Sequence, residues 1–195
     1  NGRSEVFLKG SAVKNLSLIL RNGDIIEELK DEVQSFNYDL TIIGGSGKRS
    51  MAHDLVQYID SSIFVVNNFN RKQTYRILLA VDDSEGNKKA VKFAVRVAQA
   101  FNIEVDIVSI SNEKRVSEKF HSYSHRAEKM MRRTGVKSKV RFVKGDLVDT
   151  ILDVAGNNHI IVMGKSSQSP LSKFFLGSKP LAVMESCNCP VVIVK

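Results

Sequence analysis

His159-Ile160-Ile161-Val162-Met163-Gly164-Lys165-Ser166-Ser167 passes from a short apolar block through a glycine into a polar stretch that ends at Gly177-Ser178. An apolar run this short, closed by glycine, reads as a buried strand rather than a helix. Glycine at its carboxyl end lets backbone amides approach an anionic group that a side chain would hold off. Ser178 opens the next helical segment, to Ser186, where unpaired amides and the helix dipole favour an anion.

The same alternation repeats on either side of this segment. Arg76 to Val81 is a strand, followed by a helix on which Ala90, Ala94, Val97, Ala98 and Phe101 recur at helical spacing. Val105 to Ile110, a basic helix from Ser117 to Arg133, Val140 to Val143 and a helix from Asp146 to Ala155 precede the quoted strand, and Val191 to Val194 closes the series. Five strands joined by four crossovers predict an α/β fold, a doubly wound five-stranded parallel sheet with helices on both faces. Ligands of such sheets collect at the carboxyl ends of the strands where strand order reverses, here between the first and fourth strands, at Asp82 and Gly164.

Residues 1–72 read as a second copy of the later half of that domain, with upstream sequence missing. Gly23-Asp24-Ile25-Ile26 matches Gly145-Asp146-Leu147-Val148; Asp39 to Gly44 matches His159 to Gly164; Ser62 to Val66 matches Pro190 to Val194. Asn67 to Thr74 is the expected linker, giving a partial domain over 1–72 and a complete one over 73–195.

Three motifs carry a family resemblance. Gly164, two residues, Ser167, nine residues, then Gly177-Ser178 is similar to the glycine loop of universal stress proteins that bind ATP, with Ser167 in place of the second glycine. Leu79-Ala80-Val81-Asp82-Asp83-Ser84-Glu85 and Cys189-Pro190-Val191-Val192-Ile193-Val194 also resemble this family, and the likeness covers about 120 residues. It implies an adenine nucleotide alpha hydrolase-like fold that binds ATP or AMP, with magnesium accompanying ATP. Carried over position by position, Ala80, Val81 and Asp82 would line the adenosine side, and Ile110 would offer backbone groups to the adenine. Met163, Gly164, Ser167, Gly177, Ser178 and Lys179 would surround the ribose and phosphates. Ser167 weighs against tight triphosphate binding.

Other readings of the same residues fail on chemistry. Gly44-Gly45-Ser46-Gly47-Lys48-Arg49 is not a P-loop, because Ile42 stands at its first glycine and Arg49 at the magnesium-binding hydroxyl; a strand-to-helix turn is expected there. Asp82-Asp83 is not a receiver-domain pair, because Lys144 stands where the phosphoacceptor aspartate should be. His121 and His125 lack a third ligand and read as a solvated helix face. Cys187 and Cys189 read as packing residues, without a basic partner to mark a nucleophile.

Composition places the chain among soluble globular proteins, with 43% hydrophobic and 26% charged residues, no long apolar span and two cysteines; a reducing cytoplasm is expected. The formal charge of +8 is uneven. Residues 1–72 carry 9 Lys/Arg against 9 Asp/Glu, whereas residues 112–144 alone carry 11 against 3. Lys114, Arg115, Lys119, Arg126, Lys129, Arg132, Arg133, Lys137, Lys139, Arg141 and Lys144 make that stretch a solvated surface or a contact for an acidic protein or lipid surface. Nucleic acid is disfavoured, since few aromatics are interleaved.

The expectation is a non-catalytic nucleotide-binding regulator of the stress response. The alternative is a nucleotide-independent interaction module, such as the cytoplasmic tail of a membrane transporter. The apolar last strand is expected at the sheet edge, pairing with its equivalent across a homodimer or within the chain at Ile63 to Val66.

Overall fold

The computed structural model describes residues 3–7, 16–44, 49–82, 85–111, 118–165 and 178–195. In chain order these form β1 (Ser4–Phe7), β2 (Ser17–Leu20), α1 (Ile25–Phe36), β3 (Leu40–Gly44), α2 (Arg49–Tyr58) and β4 (Ser62–Val66). They continue with β5 (Arg76–Ala80), α3 (Glu85–Phe101), β6 (Val105–Ser111), α4 (Glu118–Arg133), β7 (Ser138–Lys144), α5 (Leu147–Ala155), β8 (His159–Gly164), α6 (Ser178–Ser186) and β9 (Val191–Val194).

The sheet is larger than the five strands expected. Its order is β3-β4-β9-β8-β5-β6-β7, seven strands in one sheet. Every neighbouring pair is parallel except β4 and β9, which run antiparallel with Ile63 opposite Ile193, Phe64 opposite Val192 and Val65 opposite Val191. The last strand meets the intrachain partner expected for it and is therefore interior to the sheet rather than at its edge. The intrachain partner covers it, because an apolar β9 gains more from a ladder and from Phe64 than from water. The edges fall instead at β3, where Ile42 is 62% exposed, and at β7.

Helices cover both faces. On one, α1, α2, α5 and α6 bury Val33, Leu55, Val56, Ile151, Ala155, Val183 and Met184 against Leu78, Val108, Ile161, Met163 and Ile193. On the other, α3 and α4 bury Ala90, Val91, Ala94, Val95, Ala98, Ala127 and Met131 against Ile77, Leu79, Ile107, Val162 and Val192. Phe101 departs from the expected buried face and is 73% exposed. The helix ends there, and Asn102, at φ 51°, turns the chain away.

The two Gly-Asp sequences build the same corner twice. Asp24 caps α1 by accepting from the N–H groups of Ile26 and Glu27 at 2.9 and 3.1 Å, and Asp146 caps α5 by accepting from those of Val148 and Asp149 at 2.8 and 3.3 Å. Each cap satisfies two of the helix's orphan donors and is worth about 1 kcal/mol. The preceding glycines, Gly23 at φ 155° and Gly145 at φ 159°, hold backbone that a side chain strains, and a Cβ would lie 2.6 Å from Glu28 Oε1 and 2.6 Å from Thr150 Oγ1 respectively, so that these side chains would have to shift.

Two buried charge clusters tie distant segments together. β1 and β2 form a separate antiparallel hairpin, which arginines clamp to α1. Glu32 accepts from Arg3 Nε at 2.9 Å, Arg21 Nη1 at 2.9 Å and the Tyr38 hydroxyl at 2.9 Å. The Arg3 hydrogen bond is the main reason its carboxyl titrates below the ordinary value, against the opposing effect of burial. At the amino ends of β5, β6 and β8, Asp106 is 2% exposed. It accepts from Arg76 Nε and Nη2 at 2.9 Å each and from His159 Nε2 at 3.0 Å. The other His159 nitrogen lies 2.7 Å from the Ala155 carbonyl oxygen, so both ring nitrogens face acceptors. Arg76 also pairs with Glu104.

Candidate functional site

The chain winds outward from β5 through β6 to β7, then returns to place β8 on the other side of β5. The carboxyl ends of β5 and β8 are thus the reversal point of the sheet, the crevice where open α/β sheets hold ligands. Leu79 pairs with Val162, so Ala80 and Met163 lie one step further along, followed by Val81-Asp82 and Gly164. The structure brings these together as the sequence predicted. Ala80 and Gly164 are half-buried; Val81 and Met163 are buried, and the Val81 N–H is used by the Val108 carbonyl at 2.9 Å. Ile110, half-buried on β6 opposite Val143, packs on the same core as Ala80 and Met163.

Two residues that the sequence reading missed fix the turn after β5. The side-chain amide of Asn87, buried in the first turn of α3, donates to the Asp82 carbonyl oxygen at 2.7 Å. The buried Ser109 hydroxyl donates to the Val81 carbonyl oxygen at 3.4 Å. Both hold Asp82 between β5 and α3. For Ser109 the signal was a polar residue between Val108 and Ile110, which has no meaning until the fold supplies its partner; Asn87, between Gly86 and Lys88, gave no such signal.

Of the remaining predicted residues, Ser178 begins α6 and Lys179 is exposed on its first turn. Ser167 and Gly177 lie outside the described residues. An adenine nucleotide fits what is present: Ala80 and Ile110 offer a partly apolar wall, Asp82 a carboxylate for ribose hydroxyls, and Lys179 with the α6 amino end a positive region for phosphate. For magnesium, no group of three His, Cys, Asp or Glu residues with metal-holding geometry occurs among the described residues. In the earlier segment, Gly44 ends β3 and a Cβ there would meet nothing within 4 Å, so packing does not demand a glycine.

The other candidates resolve into surface and packing. His121 and His125 both lie edge-on to Phe142, with ring centroids 4.3 and 6.0 Å away. Cys187 and Cys189 are free and buried, the Cys189 N–H donating to Cys187 Sγ at 3.2 Å. Arg126, Lys129, Arg132 and Arg133 are exposed on α4, and Lys137, Lys139, Arg141 and Lys144 are exposed along and beside edge strand β7. The charge excess is thus gathered around one edge of the sheet. Among the described residues no helix is long and apolar enough to cross a membrane.

The family model of the universal stress protein family matches residues 74–195, which is most of the chain. The chain belongs to that family. A universal stress protein of Methanocaldococcus jannaschii is 24% identical over 153 residues, covering 68% of this chain and 90% of the relative. A universal stress protein structure from Archaeoglobus fulgidus has a TM-score of 0.65 at 16% identity, over 87% of this chain and 64% of that one. This universal stress protein chain therefore spans 64% of that structure's length, and the likeness necessarily reaches into residues before 74. A third structure, a universal stress protein in complex with cAMP, has a TM-score of 0.52 at 23% identity, over 63% of this chain and 98% of that one. These likenesses establish the α/β fold with its mostly parallel sheet.

Proposed function

We propose that this universal stress protein binds an adenine nucleotide, AMP or ATP, at the carboxyl ends of β5 and β8, and acts as a non-catalytic regulator in the stress response. The observation that carries the reading is the juxtaposition of Ala80-Val81-Asp82 with Met163-Gly164 at the reversal point, with Ile110 packed on the same core as Ala80 and Met163. The adenosine lies against Ala80, Val81, Asp82 and Ile110; ribose and phosphates lie toward Met163, Gly164, Ser167, Gly177, Ser178 and Lys179. The related protein in complex with cAMP supports an adenine ligand for this fold. Binding rather than turnover is favoured by the loop's chemistry, since Gly164 to Lys179 contains no acidic residue, histidine or cysteine to act as a general base.

Residues 1–72 are read as a partial second copy of the domain at 73–195. The shared Gly-Asp corners and the parallel β3-α2-β4 unit, joined to β9 about a local antiparallel pairing, support this.

The test is calorimetry of the purified chain with AMP, ATP and adenosine, with the supernatant of heat-denatured protein analysed for adenine nucleotide. Micromolar to submillimolar binding that is lost in Asp82→Ala is expected. Absence of binding at millimolar nucleotide would sink the reading and leave the interaction module in its place.

A further inference from the structure

Gly164 pairs with Val194 across the ladder of β8 and β9, and the Lys165 N–H extends the ladder by donating to the Val194 carbonyl oxygen at 2.8 Å. The next residue on each strand is a lysine, Lys165 and Lys195. Paired positions of a parallel ladder project to one face, and residues two apart share it. Met163 and Ile193 lie on the face that α6 covers, so both lysine stems start from that face, one step beyond Gly164.

Residues of the earlier segment hold Lys195 there. Its N–H donates to the Ser62 hydroxyl at 3.3 Å and its ammonium donates to the Ile59 carbonyl oxygen. The ammonium is pushed down to about 8, by burial first and by the charge of Lys165 second, while Asp60 pulls the other way. Like charges in one cross-strand register destabilise each other, and a half-buried ammonium loses hydration as well. An anion set between the two lysines reverses both effects.

We propose that Lys165 and Lys195 form a two-lysine subsite for the phosphate of the bound nucleotide, with Ile59 and Ser62 positioning Lys195. The proposal rests on the nucleotide reading above but concerns different residues. It makes the earlier segment a contributor to the C-terminal site, because the groups that orient Lys195 belong to the end of α2 and to β4. Phosphate beside the Lys195 ammonium favours its charged form, so binding takes up a proton near pH 8. Phosphomonoesters are already fully ionised above pH 7, with a second pKa near 6. Affinity for AMP therefore falls as pH rises from 7 to 9, while affinity for adenosine stays level. Lys165 and Asp60 are the charged groups that act on this ammonium.

Calorimetry with adenosine, AMP and inorganic phosphate on the full chain, at pH 7 and pH 9, tests it with the variants Lys165→Gln, Lys195→Gln and Lys195→Arg. The expected result is AMP bound roughly tenfold or more tighter than adenosine at pH 7, as for charge-assisted hydrogen bonds. That advantage disappears in either glutamine variant and survives in Lys195→Arg, whose melting temperature serves as the control for folding. If adenosine and AMP bind equally well and the glutamine variants change neither, the subsite is overturned and the nucleotide reading stands. If inorganic phosphate binds in a lysine-dependent way while adenosine and AMP add nothing, the subsite stands and the nucleotide reading falls. If none of the three binds, both fall.

Discussion

Replacing Asp106 by asparagine keeps the shape of the side chain and removes the charge that Arg76 and His159 share. Burial alone would push the Asp106 carboxyl up; the hydrogen bonds from Arg76 and then His159 outweigh it and hold the group at about 2, against an ordinary 3.8. At 2% exposure that depression contributes about 2 kcal/mol to stability. The folded value lies below the unfolded one, so the contribution is complete above pH 4 and is lost as pH falls toward 2. Removing one partner of a buried charge cluster costs about 3–5 kcal/mol. Arg76 keeps Glu104 and partial contact with water, which places Asp106→Asn near the lower end. For a chain of this size that is a drop of roughly 5–12 °C in melting temperature. Urea unfolding followed by circular dichroism should show the loss at pH 7, and the gap between wild type and variant should narrow by about 1 kcal/mol at pH 3. A variant within 1 kcal/mol of wild type at pH 7, or a gap that does not change between pH 7 and pH 3, refutes the assignment.

Val192→Pro places a residue without an N–H in a strand paired on both sides, next to Phe64 and Val162, and should cost about 3 kcal/mol or more; unchanged urea unfolding would mean that the β4–β9 seam contributes little. Gly145→Ala meets Thr150 Oγ1 at 2.6 Å and an unfavourable φ, so a loss of roughly 1–2 kcal/mol is expected, part of it recovered in the double variant with Thr150→Ala; full additivity of the two changes would argue against the clash. The basic edge should bind anionic vesicles at low salt and release them as salt rises, and changing Arg126, Lys129, Arg132 and Arg133 to glutamine should abolish it. Equal binding by that variant, or better binding of duplex DNA than of vesicles, would refute the lipid reading.

The C-terminal strands were legible because each is a short apolar run with a glycine or polar boundary, and the Gly-Asp corners were legible because a cap is a local device. The residues at the ends of β5 and β8 that are proposed to hold the nucleotide were singled out by the motifs and by the reversal rule. What the sequence did not disclose depends on partners far along the chain. Asp106 looked like an ordinary polar residue in a strand until Arg76 and His159 came to it. Glu32 draws its meaning from Arg3 and Arg21, and the β1 and β2 strands beside them are only four residues each, too short for a clear periodic signal. Phe101 misled because helical spacing continues past the last residue that the sheet covers. Lys195 acquired a role only when the register set it beside Lys165.

The antiparallel seam between β4 and β9 also sets an order of events during folding. Ile63 and Ile193 are roughly 130 positions apart in the chain, and the loop between them contains β5 to β8. Closing so long a loop in an unstructured chain delays the contact, whereas a preformed β5–β9 unit presents β9 as a ready template. Strands β3 and β4 should therefore join late and leave first. Amide exchange in β3 and β4 would then report a sub-global opening in which the C-terminal unit stays intact, and the Ile59 and Ser62 anchors of Lys195 would come and go with it.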